Sequence, residues 1–129
     1  MPAQVQTPEA LTIPKLNPLL RNIPQAPYLE NGAANVAKNI YNEAEETKCS
    51  VIVVQNLSTS VVVVSYNTDA ASGYGHQTLS ACVAQDDGLG GILTIEPGPR
   101  GISRVSVISA ATLRLSVTKF NNNQRQHLL

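Results

Sequence analysis

The sequence predicts an all-β protein: a single antiparallel β-sandwich or small barrel of about six strands, preceded by an extended, proline-rich N-terminal arm. Three observations predict it. From Ser50 onward, short runs rich in Val, Ile, Leu and Thr recur between clusters of Gly, Pro, Asn and Asp. Six of the eight prolines fall in the first 27 residues, which excludes a long helix there. The chain is 43% hydrophobic but has no Trp and one Phe, so its core must be built from small, mostly β-branched side chains.

Residues 1–30 form the arm. Pro2, Pro8, Pro14, Pro18, Pro24 and Pro27 each fix their own φ and push the preceding residue toward extended conformations. Between them stand Val5, Leu11, Ile13, Leu16, Leu19, Leu20, Ile23, Tyr28 and Leu29. A flexible linker is Gly/Ser-rich or charged. This segment reads instead as an arm that docks on something apolar, because so many exposed aliphatics are a liability. A disordered tail is the alternative.

Residues 31–48 connect the arm to the sandwich. Val36, Ala37, Ile40, Tyr41 and Ala44 match a helical stripe, while the Asn residues and a Gly weaken a helix. Val36–Tyr41 reads equally as a short strand. One or two helical turns are expected.

Residues 49–120 carry the sandwich. Ser50–Gln55 is the first strand, Asn56–Thr59 a turn, and Ser60–Tyr66 the hairpin partner. Both are apolar at every central position, as strands covered on both faces are. A thin sandwich covers one face of each sheet, so the arm or a neighbouring subunit is expected to cover the other. Asn67–Gln77 is a long loop of turn formers. Thr78–Ala84 is a third strand, Gln85–Gly91 a loop, and Ile92–Ile95 a fourth strand. Glu96–Gly101 has turn composition. Ile102–Ile108 and Thr112–Lys119 complete the set. The last alternates cleanly, with Leu113, Leu115 and Val117 inward and Arg114, Ser116 and Thr118 outward. Residues 121–129 are a polar tail.

Nine Lys+Arg balance nine Asp+Glu, but not evenly along the chain. Residues 30–96 hold eight acids against Lys38 and Lys48, a net of −6. Residues 97–129 hold Arg100, Arg104, Arg114, Lys119 and Arg125 and no acid, a net of +5. Such zones either pair inside one domain or attract a second copy.

No residue set asks for a reaction, and the protein is expected not to be an enzyme and to need no cofactor. There is no nucleophile elbow and no Walker loop. Gly73-Tyr74-Gly75 and Gly88-Leu89-Gly90-Gly91 lack the strand-to-helix setting of a phosphate cradle. His76 has no nucleophile fixed near it and reads as a loop histidine. Asp86-Asp87-Gly88 lacks the alternating acids of a calcium loop. Asn56-Leu57-Ser58 is a formal glycosylation sequon that a hairpin turn explains. Cys49 and Cys82 read as buried free thiols or one bridge, and neither His76 nor His127 stands in metal-ligand spacing with them. The basic zone lacks interleaved aromatics, so nucleic acid is not an expected partner. No apolar run is long enough to span a membrane as a helix, and no secretory signal pattern opens the chain.

From Cys49 to Phe120 the chain resembles small β-sandwich virion proteins of tailed bacteriophages. The resemblance rests on Val51-Ile52-Val53-Val54-Gln55-Asn56-Leu57-Ser58 and its hairpin partner, on Ile95-Glu96-Pro97-Gly98, and on Leu113-Arg114-Leu115-Ser116-Val117-Thr118-Lys119-Phe120. It is a pattern of strand order and turns. It implies a structural role in the virion, assembled in the host cytoplasm: capsid cement or decoration, head-fibre base or tail component. It also implies a homo-oligomer, a trimer above all, with the major capsid protein as a further partner.

The expected function is therefore a non-enzymatic structural protein that stabilises a phage capsid through oligomerisation and arm docking. Pairing of the arm with a neighbour's sheet edge would supply main-chain hydrogen bonds as well as burial. The residues expected to make these contacts are Leu11, Ile13, Leu16, Leu19, Leu20, Ile23 and Tyr28 in the arm, Val62 and Val64 in the hairpin, and Arg104 and Arg114 in the basic zone. The alternative is a ligand- or carbohydrate-binding β-module using Tyr66, Tyr74 and His76, weakened by the lack of Trp.

Overall fold

The computed structural model describes residues 22–122. The protein is an all-β sandwich of two antiparallel sheets, with no closed barrel. Its elements are β1 (Asn22–Pro24), β2 (Tyr28–Gly32), β3 (Lys38–Asn42), β4 (Val51–Asn56), β5 (Val62–Tyr66), β6 (Gln77–Leu79), β7 (Ile92–Ile95), α1 (Pro97–Arg100), β8 (Arg104–Ser109) and β9 (Leu113–Asn122). In the first sheet β1 and β2 lie end to end along β9, followed by β4 and then β7. The second sheet runs β3-β8-β5-β6.

Alternation builds the core. Leu113, Leu115 and Val117 of β9 point inward with Ile52 and Val54 of β4, and all five are fully buried. They meet Val62 and Val64 of β5 and Val105 and Val107 of β8 from the facing sheet. Each such side chain stabilises by about 1.5–3 kcal/mol on burial. No ring larger than Tyr41 is needed to fill the space.

Residues 22–48 hold three strands where extended chain and a helix were expected. The helical turns of the connecting segment are not there: Lys38–Asn42 is β3, antiparallel to β8. A bulge between Asn39 and Tyr41 resolves the ambiguous pattern. It lets the consecutive side chains Ile40 and Tyr41 both face the core, which a regular strand forbids. The end of the arm also belongs to the body. Ile23 stands opposite Asn121, and Tyr28 opposite Val117. β9 accordingly runs on through Asn121 and Asn122, residues expected in the tail.

β5 is not the hairpin partner of β4: the two strands stand in facing sheets, and residues 57–61 cross from one sheet to the other. The outer face of β5 is covered at its centre from within. The loop after β5 folds back over it, so that Val63 packs with Ala70 and Ile108 in a separate small cluster. The Ala70 N–H donates to Ser106 Oγ at 2.9 Å. Gly75 comes so close that a Cβ there would lie 2.5 Å from Val63 Cγ1 and 2.9 Å from the Val64 carbonyl.

The third predicted strand is much shorter than Thr78–Ala84. β6 ends at Leu79 because Asn56 takes over the neighbouring backbone. The buried Asn56 side chain donates to the carbonyls of Ser60 (2.8 Å), Ser80 (3.0 Å) and Leu79 (3.4 Å). Its Oδ1 accepts from the Ser58 N–H and Oγ. Glu96–Gly101 closes as one helical turn, α1. Gly101, at φ 66°, donates to the Gly98 carbonyl, and Ile102 donates to that of Pro97.

Candidate functional site

The residues predicted to make contacts do not come together. Leu11, Ile13, Leu16, Leu19 and Leu20 lie outside the described residues. Ile23 and Tyr28 join the protein's own first sheet. Val62 and Val64 sit in the core between the sheets with no exposed surface, so they cannot meet a partner. Their unbroken apolar run misled because the covering loop after β5 contributes only Ala70 and Gly75 there, residues with no hydrophobic signature of their own.

The charge zones close on each other inside one chain. Arg104 Nη1 reaches Asp69 at 2.6 Å and Asn39 Oδ1 at 3.1 Å. Arg114 holds Asp86 through two parallel bonds of 2.8 and 3.0 Å. Lys119 bonds to Glu46. Arg104 and Arg114 are thus committed to acids of the middle zone. Asp87 is committed too: its carboxylate accepts the N–H groups of Val83, Ala84 and Leu89. Those bonds hold its carboxyl below the usual range. Neither acid of Asp86-Asp87-Gly88 is left to hold a cation, and no cluster of metal-ligating side chains occurs among the described residues.

Lys119 sits in a shallow hollow of about 230 Å³, 5.5 Å from the Tyr28 ring centre and 5.9 Å from that of Tyr41. Burial pulls its ammonium pKa down, but the bonds to Glu46 and Tyr28 outweigh that and raise it. The neighbouring Cys49 thiol is pushed up, by burial first, against the pull of Lys119. A thiol so raised stays protonated and unreactive. Both cysteines are buried and free.

Tyr74 and His76 come together, as the ligand-binding alternative requires. They line a hollow of about 500 Å³ with Ser65, Thr68 and Asp69. Tyr66 packs against His76 from the side, ring centres 5.2 Å apart, and its N–H donates to His76 Nδ1. Tyr74 is 77% exposed.

The feature that sequence reasoning missed is the role of Asn56, which ties together the β4–β5 turn and the loop between β6 and β7. The turn carries Val61 and the loop Val83 and Leu89, which are 46, 85 and 69% exposed, and Ile92 at the start of β7 is 65% exposed. Beside them runs the outer edge of β7, to which no strand is paired among the described residues. The available signal was Asn56 itself: a polar residue ending an apolar strand, able to bind several backbone groups at once.

No protein-family model matches the chain, and no curated protein does. Among solved structures, a chain described under "Bacillus endospore appendages form a novel family of disulfide-linked pili" is similar. It is 13% identical, covers 79% of this chain and 90% of that one, and superposes with a TM-score of 0.43. A likeness of that extent carries no argument about what this chain does. No helix among the described residues is long and apolar enough to cross a membrane.

Proposed function

We propose that this protein is a non-enzymatic structural subunit that works by associating with further copies of itself through its N-terminal arm. The observation that carries the proposal is the unpaired outer edge of β7, on which the Ile92 side chain is largely exposed. An uncharged strand edge with open backbone groups is a place for a partner. The resemblance to phage virion proteins gives the proposal its specific form: a cement or decoration protein of the virion, a trimer, seated on the major capsid protein.

The test is mass in solution by light scattering and native mass spectrometry. A defined oligomer is expected, and Leu89→Ser/Ile92→Ser should shift it toward monomer. A parent chain that stays monomeric at every concentration reached would refute self-association.

A second reading rests on the Tyr74 and His76 hollow: binding of a neutral sugar, with Tyr74 as the stacking face. Glycan binding that disappears in Tyr74→Ala supports it, and a glycan array with no response removes it.

A further inference from the structure

The outer edge of β7 has a defined set of free backbone groups. The Gly91 carbonyl accepts the Asn56 N–H, and Leu93 and Ile95 follow Gly91 at two-residue steps, opposite Val54 and Ile52. Their N–H and C=O groups therefore face β4. By alternation, those of Ile92 and Thr94 point away from it, to the open side.

Other sheet edges are protected. β3 carries Lys38 and a bulge, and β6 is three residues long. The edge shared by β1 and β2 carries Pro24 and the charge of Glu30. β7 has no charge, proline or bulge, and Ile92 is largely exposed.

The arm has the complementary pattern. In β1, Gln25 donates its N–H to the Lys119 carbonyl, so the odd-numbered residues there face β9 and Pro24 turns its missing N–H outward. Pro8, Pro14 and Pro18 share the parity of Pro24. A strand made from residues 9–15 can thus pair through Glu9, Leu11, Ile13 and Lys15 with no proline in the ladder. In antiparallel pairing, residues directly opposite share a face. Leu11 and Ile13 across from Thr94 and Ile92 would therefore cover the exposed Ile92 side chain. In that register Lys15 stands across from Gly90 and Glu9 across from the exposed Glu96, so the fit rests on backbone and aliphatic contacts and on no ion pair.

We infer that residues 9–15 of one copy pair antiparallel with the outer edge of β7 in a second copy, using their odd-numbered backbone groups. A second copy is the occupant because the arm enters the body at Asn22, on the opposite edge of the same sheet from β7. A head-to-tail contact of this kind joins the two edges of successive sheets. The inference rests on the proposed self-association and names its site.

Proline scanning of the full chain tests it, read as association constants from sedimentation equilibrium. Ile13→Pro should weaken association at least about tenfold, and Thr12→Pro, whose N–H would point outward, no more than about threefold. Thr94→Pro and, independently, Ile92→Lys should match Ile13→Pro. Equal losses for Ile13→Pro and Thr12→Pro would overturn the strand pairing. Association unchanged by both Thr94→Pro and Ile92→Lys, yet lost in Leu11→Asp/Ile13→Asp, would move the arm to another surface and leave the proposed function standing. Association unchanged by Leu11→Asp/Ile13→Asp would sink the arm itself. A monomer protected at β7 amides, with that protection lost in Ile13→Pro, would replace the second copy by the chain's own arm.

Discussion

Replacing Asn56 by alanine removes the knot at one end of the sandwich, and the structure sets the size of the loss. The Ser58 N–H is buried and bonded to Asn56 Oδ1 at 2.9 Å, so the variant orphans it. A buried donor left without a partner costs about 1–3 kcal/mol. The carbonyls of Ser60 and Ser80 lose the Asn56 amide but keep Ser58 Oγ and the Gly91 N–H respectively. Those lost bonds are therefore charged at the ordinary net value, about 1 kcal/mol each. The sum is about 3–5 kcal/mol, a large share of the 5–15 kcal/mol typical of a domain. Urea unfolding should show the midpoint shifted at unchanged slope, and Tm should fall by roughly 10–20 °C. Asn56→Asp is the sharper companion. It can still accept from Ser58, but at neutral pH it turns a carboxylate on the carbonyls of Ser60, Leu79 and Ser80. Its folded pKa is then raised, so its deficit should shrink as pH falls into the carboxylate range. A cost below about 1 kcal/mol for Asn56→Ala would show that the loops are held by something other than this side chain.

Three further outcomes follow from the same geometry. Burial raises the Tyr41 and Tyr66 phenols, so the folded protein holds those protons more tightly than the unfolded chain does. Stability should be full below the ordinary tyrosine value of about 10 and fall as pH climbs beyond it, with a shallower fall in Tyr41→Phe, as read by urea midpoints across alkaline pH. Cys49 and Cys82 are both buried, so a thiol reagent should react slowly with the native protein and fully in urea; rapid native labelling of either would contradict their burial. Arg114→Ala should leave the urea midpoint almost unchanged despite its two-bond contact, because both partners are partly exposed; a clear drop would mean the pair organises the loop around Asp86.

The last strand was readable because period-two alternation and turn residues coincide there, and β4, β5 and β7 were readable as short β-branched runs between turn residues. Leu113, Leu115 and Val117 fall inward as their spacing requires. What precedes β4 was not readable for particular physical reasons. At Ile40 and Tyr41 a bulge puts adjacent side chains on one face, which imitates a helical stripe. β1 and β2 are defined by their long-range partner β9 and by no periodicity of their own. β5 lies where its apolar run predicts along the chain, but it pairs with β8 and β6 in the facing sheet and not with β4, and its second face was given to a partner. The covering residues Ala70 and Gly75 act through closeness of approach, and such closeness has no sequence pattern.

The internal pairing of the charge zones bears on what would hold copies together in the proposed assembly. Had Arg104 and Arg114 stood free, opposite patches would steer and bind neighbours, and association would weaken steeply with salt. Both are instead spent on Asp69 and Asp86 within the chain. The contact proposed at β7 uses instead backbone and aliphatic groups: the outward N–H and C=O groups of Ile92 and Thr94 and the exposed Ile92 side chain. Contacts of that kind are nearly blind to ionic strength, and excluded salts such as sulfate strengthen them. Association by this surface must therefore persist in high salt. An association constant that collapses there would return the charges to the interface and require at least one of these arginine pairs to open when copies meet.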